Sequence, residues 1–244
     1  ADADNAVLRI QLDGGSLAFD GLVVNGDNTT IRGLVISRFY RGIFVQSSSN
    51  LVAGNFSGTD ASGRVSASNT FGIYLNGICC NILGGTNAAD RNVVAGNQSN
   101  PIVGSLSQYY LRDSKIQGNF IGVDATGVRP LLTAGSAITL YGTINLLIGG
   151  LETGARNVIA GRNFAVNLRY ETNLFILGNY IGVGADGMTA IPADLGGIGS
   201  EFVPSVVWPS GVLIRSNIIA HQSVAVRVGN SLSDPWPAGM QFTI

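Results

Sequence analysis

The chain has 244 residues, enough for one large domain or two small ones, and 45% of them are hydrophobic. Only 12% are charged, with a formal net charge of −1, which excludes a highly charged disordered tail and the basic face of a nucleic-acid binder. No apolar run reaches the ~18 residues of a membrane-spanning helix, and the 34 glycines lack the period of three that collagen requires.

In chain order, the start at Ala1 carries no Met and no charged-then-apolar leader, so the polypeptide reads as processed or as a fragment of a longer array. A short motif, Gly-apolar-x-apolar, then recurs at Leu22/Val24, Ile43/Val45, Ile73/Leu75, Ile138/Leu140, Val166/Leu168 and Val224/Val226, with Ile102 and Ile198 as poorer members of the series. A second, apolar-x-Gly, recurs at Ile31, Val52, Ile82, Ile116, Leu147, Ile176 and, with serine for glycine, Ile214. Longer repeats overlay these. GNFSGTDASG from Gly54 returns as GNFIGVDATG from Gly118 and GNYIGVGADG from Gly178, and ILGGTNAADRNVVAGN from Ile82 returns as LIGGLETGARNVIAGR from Leu147. The segment from Ser231 to Ile244 reads as an irregular tail.

Apolar residues alternate over three to five positions and never hold a helical spacing, so the elements are short strands. Equivalent strands are separated by a full repeat of chain, which rules out hairpins and makes them parallel. The expected architecture is all-β: a single-domain, single-stranded parallel β-helix over residues 1–244. About eight coils, each rising ~4.8 Å, give a rod ~40 Å long. Unequal spacing between landmarks places loops of variable length at fixed corners. One corner carries the inserts after Phe56, Ile121 and Ile181; another carries TNAADR and LETGAR.

Asn55, Asn119, Asn179 and Asn217 share one repeat position, and an asparagine turn ladder is the expected role. Asp60 and Asp124 read as turn residues, because the third repeat has Gly184 in their place. Arg91 and Arg156 recur before Asn92 and Asn157, which suggests a shared structural task such as bonding loop carbonyls. Cys79 and Cys80 are the only cysteines; strained geometry disfavours a bridge between neighbours, so two free thiols are expected.

"NTTIRGLVISRF", "GNFIGVDATG" and "GGLETGARNVIAGR" resemble modules of large secreted or surface bacterial proteins with right-handed parallel β-helix repeats, in the pectin-lyase-like superfamily. The resemblance runs from about Ile10 to Val228. It implies an extracellular or cell-surface location and an association with carbohydrate. Activity must be argued from a site. Hydrolysis of polygalacturonase type needs clustered aspartates, a histidine and an Arg-Lys pair, and the chain has no Asp-Asp, Gly-His-Gly or Arg-x-Lys. The acidic cluster of a calcium-dependent lyase and the Asp-Pro-His run of an epimerase are missing too. There is no Gly-x-Ser-x-Gly elbow, phosphate-binding loop or calcium nonapeptide, and no cofactor or metal site is expected.

The weak catalytic candidates are His221, the single histidine, and Arg169 with Glu171 beside an inward strand. Phe39-Tyr40, Tyr109-Tyr110, Trp208 and Trp236 offer stacking surfaces for sugars or covers for the rod's ends. The expected function is a non-catalytic surface scaffold whose corner loops meet a polysaccharide or protein partner. A polysaccharide-active enzyme (uronate lyase, hydrolase or epimerase) with a groove on one sheet is an alternative. A structural protein that self-associates end to end or side by side through its edge strands is another.

Overall fold

The computed structural model describes residues 7–76, 79–104, 110–131, 134–200 and 211–228, and the backbone of Phe242–Thr243. The chain winds through three parallel sheets of eight strands each. Successive coils pass from the first sheet (Ile10–Asp13 in the first coil) to the second (Leu22–Val24) and the third (Thr30–Arg32), then return to the first at Leu34–Ser37. Eight coils are described, and every strand of the three sheets pairs only with its equivalents in adjacent coils. This is a parallel β-helix. Besides the strands, one 3-10 turn, Ala88–Asp90, is described.

Strand alternation turns this winding into a core. In the second sheet, Leu22, Ile43, Ile73, Ile102, Ile138, Val166 and Ile198 lie in one register column. Ile31, Val52, Leu83, Ile116, Ile148, Ile176 and Ile214 form the matching column of the third. All but the partly buried Leu22 belong to one continuous buried cluster. Stacking like on like removes each apolar side chain from water against the coil above and the coil below, at roughly 25 cal/mol per Å².

Two register details differ from the sequence reading. Ile82 and Leu147 are half-buried, and their successors Leu83 and Ile148 face inward. In those two coils the glycine opens an inserted corner, so counting back from it misplaces the strand by one residue and exchanges its faces. At the last coil, Val226 rather than Val224 pairs with Ile198. That shift of two residues keeps the same face inward.

A second core lies outside the coil. The outward residues Val35, Phe56, Val93, Phe120 and Val158 of the first sheet pack under Val123, Ala125, Ala185 and Ile191 of the inserts. The three inserts share one construction, a tight turn closed by the bridges Thr59↔Ser66, Val123↔Pro130 and Val183↔Ala190. They also stack on each other. Ala125 N–H donates to Gly63 O at 2.9 Å, and Ala185 N–H to Gly127 O at 2.8 Å. Inserts occur in alternate coils and meet across the intervening one, which accounts for long repeats spanning two coils.

Among the described residues, the first-coil strands Ile10–Asp13, Leu22–Val24 and Thr30–Arg32 each pair on one side only. The expected irregular tail, apart from Phe242–Thr243 pairing with Val212–Leu213, falls outside the described residues, as do Tyr109, Trp208 and Trp236.

Candidate functional site

The corner between the third and first sheets is built from asparagine. Asn55, Asn92, Asn119, Asn157, Asn179 and Asn217 form a continuous series in which each backbone N–H and each Nδ2 donates to the next residue's Oδ1, at 2.8–3.2 Å. Asn92 and Asn157 close the TNAADR and LETGAR inserts, so simple spacing from the glycine did not place them in the series. Arg91 Nε donates to Gly118 O at 3.2 Å with its guanidinium 4.3 Å from the Phe120 ring centre. Arg156 repeats this on Gly178 O at 3.0 Å and on Tyr180 at 4.1 Å. Both arginines therefore fasten an insert to the next coil.

The insert carboxylates shape turns. Asp60 accepts from the Ser62 hydroxyl at 2.7 Å and from the N–H groups of Arg64 and Val65 at 3.2 Å. Burial alone would raise its pKa, but these donors outweigh it and hold the carboxyl below its usual range. Asp124 accepts from Thr126 in the same way. Asp186, in the third insert, is pulled down to about 2 by the Thr189 hydroxyl and nearby N–H groups.

The three weak catalytic candidates do not form one group. His221 is exposed, with φ +58°, between the first- and second-sheet strands of the last coil. Two coils earlier, Arg169 is the last residue of the second-sheet strand Phe164–Arg169, and Glu171 lies just beyond it. Glu171 has no solvent exposure. Burial pushes its carboxyl up to about 8, against the pull of the Arg169 N–H, which donates to Oε1 at 2.8 Å, and of the Arg169 charge. A raised pKa is often a mark of catalysis, but this acid is sealed from any polymer, and its Oε2 has no hydrogen-bond partner. Among the described residues, no three His, Cys, Asp or Glu side chains converge as metal ligands would. No helix among them is long and apolar enough to cross a membrane.

The most ligand-like surface is on the outer face of the second sheet, in the first three coils. Arg41–Val45 and Phe71–Leu75 are register neighbours, so Phe44 lies beside Tyr74 and Arg41 beside Phe71. Four rings run edge to face: Tyr40 to Phe71 at 5.6 Å, Phe71 to Tyr74 at 5.8 Å, and Tyr74 to Phe44 at 5.6 Å. The Arg41 guanidinium sits 3.5 Å from the centre of Phe44 and within 5.6 Å of Tyr40 and Tyr74. Asp20, from the first coil, holds it in a two-bond fork, both bonds at 2.7 Å. That hydrogen bond outweighs the cost of burial and raises the pKa of Arg41. Tyr40 is exposed, and Phe71 and Tyr74 are half-exposed. Tyr40 also borders a groove of about 140 Å³ whose wall includes Arg38, Ser68, Thr70 and Gln98.

The sequence reading identified Phe39-Tyr40 as a stacking surface. It missed Phe71, Tyr74 and Arg41, although RGIFV and FGIYL align residue for residue, and that alignment would have superposed the outward aromatics.

Comparison with known proteins adds nothing to this geometry: no protein-family model, curated protein or solved structure matches the chain.

Proposed function

We propose that this chain is a non-catalytic scaffold of the extracellular space or cell surface, akin to the carbohydrate-associated, pectin-lyase-like β-helices, and that it holds a glycan on the second sheet. The observation that carries this reading is the row of four rings around the Arg41–Asp20 pair. Sugar rings present C–H faces that stack on aromatic side chains, while their hydroxyls need polar partners at the edge. The rings supply the first requirement, and Ser68, Thr70 and Gln98 in the adjoining groove supply the second. Because Asp20 neutralises Arg41, the patch favours a neutral glycan over a uronate.

The test is a glycan array probed with the wild-type chain and the Tyr40→Ala/Phe71→Ala double variant, run beside a release assay on uronate polymers. Stacking contributes roughly 0.5–1.5 kcal/mol per ring, so the double variant is expected to bind its neutral glycan about tenfold more weakly or worse. No oligosaccharide should be released. Unchanged binding by the variant would remove the ring surface from the account, and turnover would favour the enzyme reading.

A further inference from the structure

One corner carries an unexplained choice of residue. Between the second and third sheets, each of the first seven coils places an equivalent residue, two before the third-sheet register column of Thr30, at positive φ: Asn28, Ser49, Cys80, Asp113, Asn145, Asn173 and Gly211. Glycine, asparagine and aspartate are the residues that tolerate this backbone. Ser49 and Cys80 are the exceptions, at φ +59° and +65°, and the immediate neighbour of Cys80 is the chain's other cysteine.

The corner fixes both residues from above and below. Cys79 O accepts the Ser49 N–H at 3.0 Å, and the Cys80 N–H donates to Arg112 O at 3.0 Å. The two sulfurs lie 2.7 Å apart. That is closer than unbonded sulfurs normally rest, and not far from the ~2.0 Å of an S–S bond. Cys80 is exposed and Cys79 partly so, which leaves the pair open to a dissolved oxidant.

We propose that Cys79 and Cys80 are an oxidation site that closes reversibly to a disulfide between adjacent residues, with a small-molecule disulfide as oxidant. In the reaction, one cysteine sulfur loses its proton and attacks oxidised glutathione, releasing one glutathione thiolate. The second cysteine, deprotonated in turn, displaces the other glutathione from the mixed disulfide. Two protein thiols become one S–S bond, and one glutathione disulfide becomes two thiols. The sulfurs already face each other, so the second step is fast and the mixed disulfide does not accumulate.

The folded chain is to be treated with oxidised glutathione, then analysed by thiol titration and intact mass. The same is done for Cys80→Asn, which installs the residue that the first, fifth and sixth coils use at this φ. The wild-type chain is expected to lose both thiols, to become lighter by two hydrogen atoms, and to remain unlinked to glutathione or to a second chain. The variant is expected to keep one glutathione per chain. A stable glutathione adduct on the wild-type chain, a disulfide-linked dimer, or two thiols that persist would each overturn the proposal.

Discussion

Asn119 directs its backbone N–H and its side-chain Nδ2 at a single oxygen, Asn157 Oδ1, at 2.8 and 3.1 Å. Its own Oδ1 receives the same pair of donors from Asn92, and its Nδ2 also reaches Leu83 O and Gln117 O. One buried amide thus satisfies groups from three consecutive coils.

Asn119→Ala removes the acceptor of the buried Asn92 N–H and the three bonds its Nδ2 donates, while Asn92 Nδ2 keeps Val52 O and Gln117 O keeps the Gly85 N–H. The orphaned N–H costs ~1–3 kcal/mol and each lost bond roughly 0.5–1.5 kcal/mol, so a loss of about 3 kcal/mol is expected from urea unfolding. Asn217, at the other end of the series, is only half-buried. Asn217→Ala should cost about 1 kcal/mol. Equal effects at the two sites would show that burial of the series does not set its contribution.

Glu171 predicts a pH dependence of stability. Its folded pKa, about 8, lies above the ordinary 4.5, so the folded chain holds a proton that the unfolded chain has released. The stability contributed by the neutral acid is complete below about pH 4.5 and is lost as pH rises through about 8. The slope cannot exceed ~1.4 kcal/mol per pH unit. Glu171→Gln keeps the shape without the titration. Unfolding free energies from urea titrations at pH 5 and pH 8 should show the variant gaining on the wild-type chain by more than about 1 kcal/mol between the two. Parallel profiles would contradict the assignment.

Gly127 tests the insert stack. Its φ is +72°, and a Cβ there would meet Phe120 Cζ at 2.6 Å and Ala185 Cβ at 2.7 Å. Gly15 has a similar φ, +61°, but open space around it. Gly15→Ala should cost about 1 kcal/mol for the backbone alone, and Gly127→Ala ~2–4 kcal/mol once overpacking is added. Thermal unfolding of the two variants separates these terms.

The fold was legible because a parallel β-helix writes its period into the chain. Ile31, Val52, Ile116 and Ile176 sit in their register column as the repeats imply. Legibility failed where an insert interrupts the count. At Ile82 and Leu147 a one-residue error exchanged inside for outside, and the same inserts obscured Asn92 and Asn157. The aromatic surface was harder to see because it is assembled across coils. Asp20, Arg41 and Tyr74 belong to three successive coils and meet only after the register is fixed. The burial of Glu171 has no signal in a motif as ordinary as Arg-Tyr-Glu.

The stacked-coil architecture is tested most directly by distances between spin labels on the outer face of the third sheet. Thr30, Lys115 and Phe175 are exposed and occupy one register column, in the first, fourth and sixth coils. At ~4.8 Å per coil, the account predicts backbone separations of about 14 Å for Thr30–Lys115, about 10 Å for Lys115–Phe175 and about 24 Å for Thr30–Phe175. Collinear distances that grow with coil number would support it. A Thr30–Phe175 distance no longer than the shorter two would contradict it.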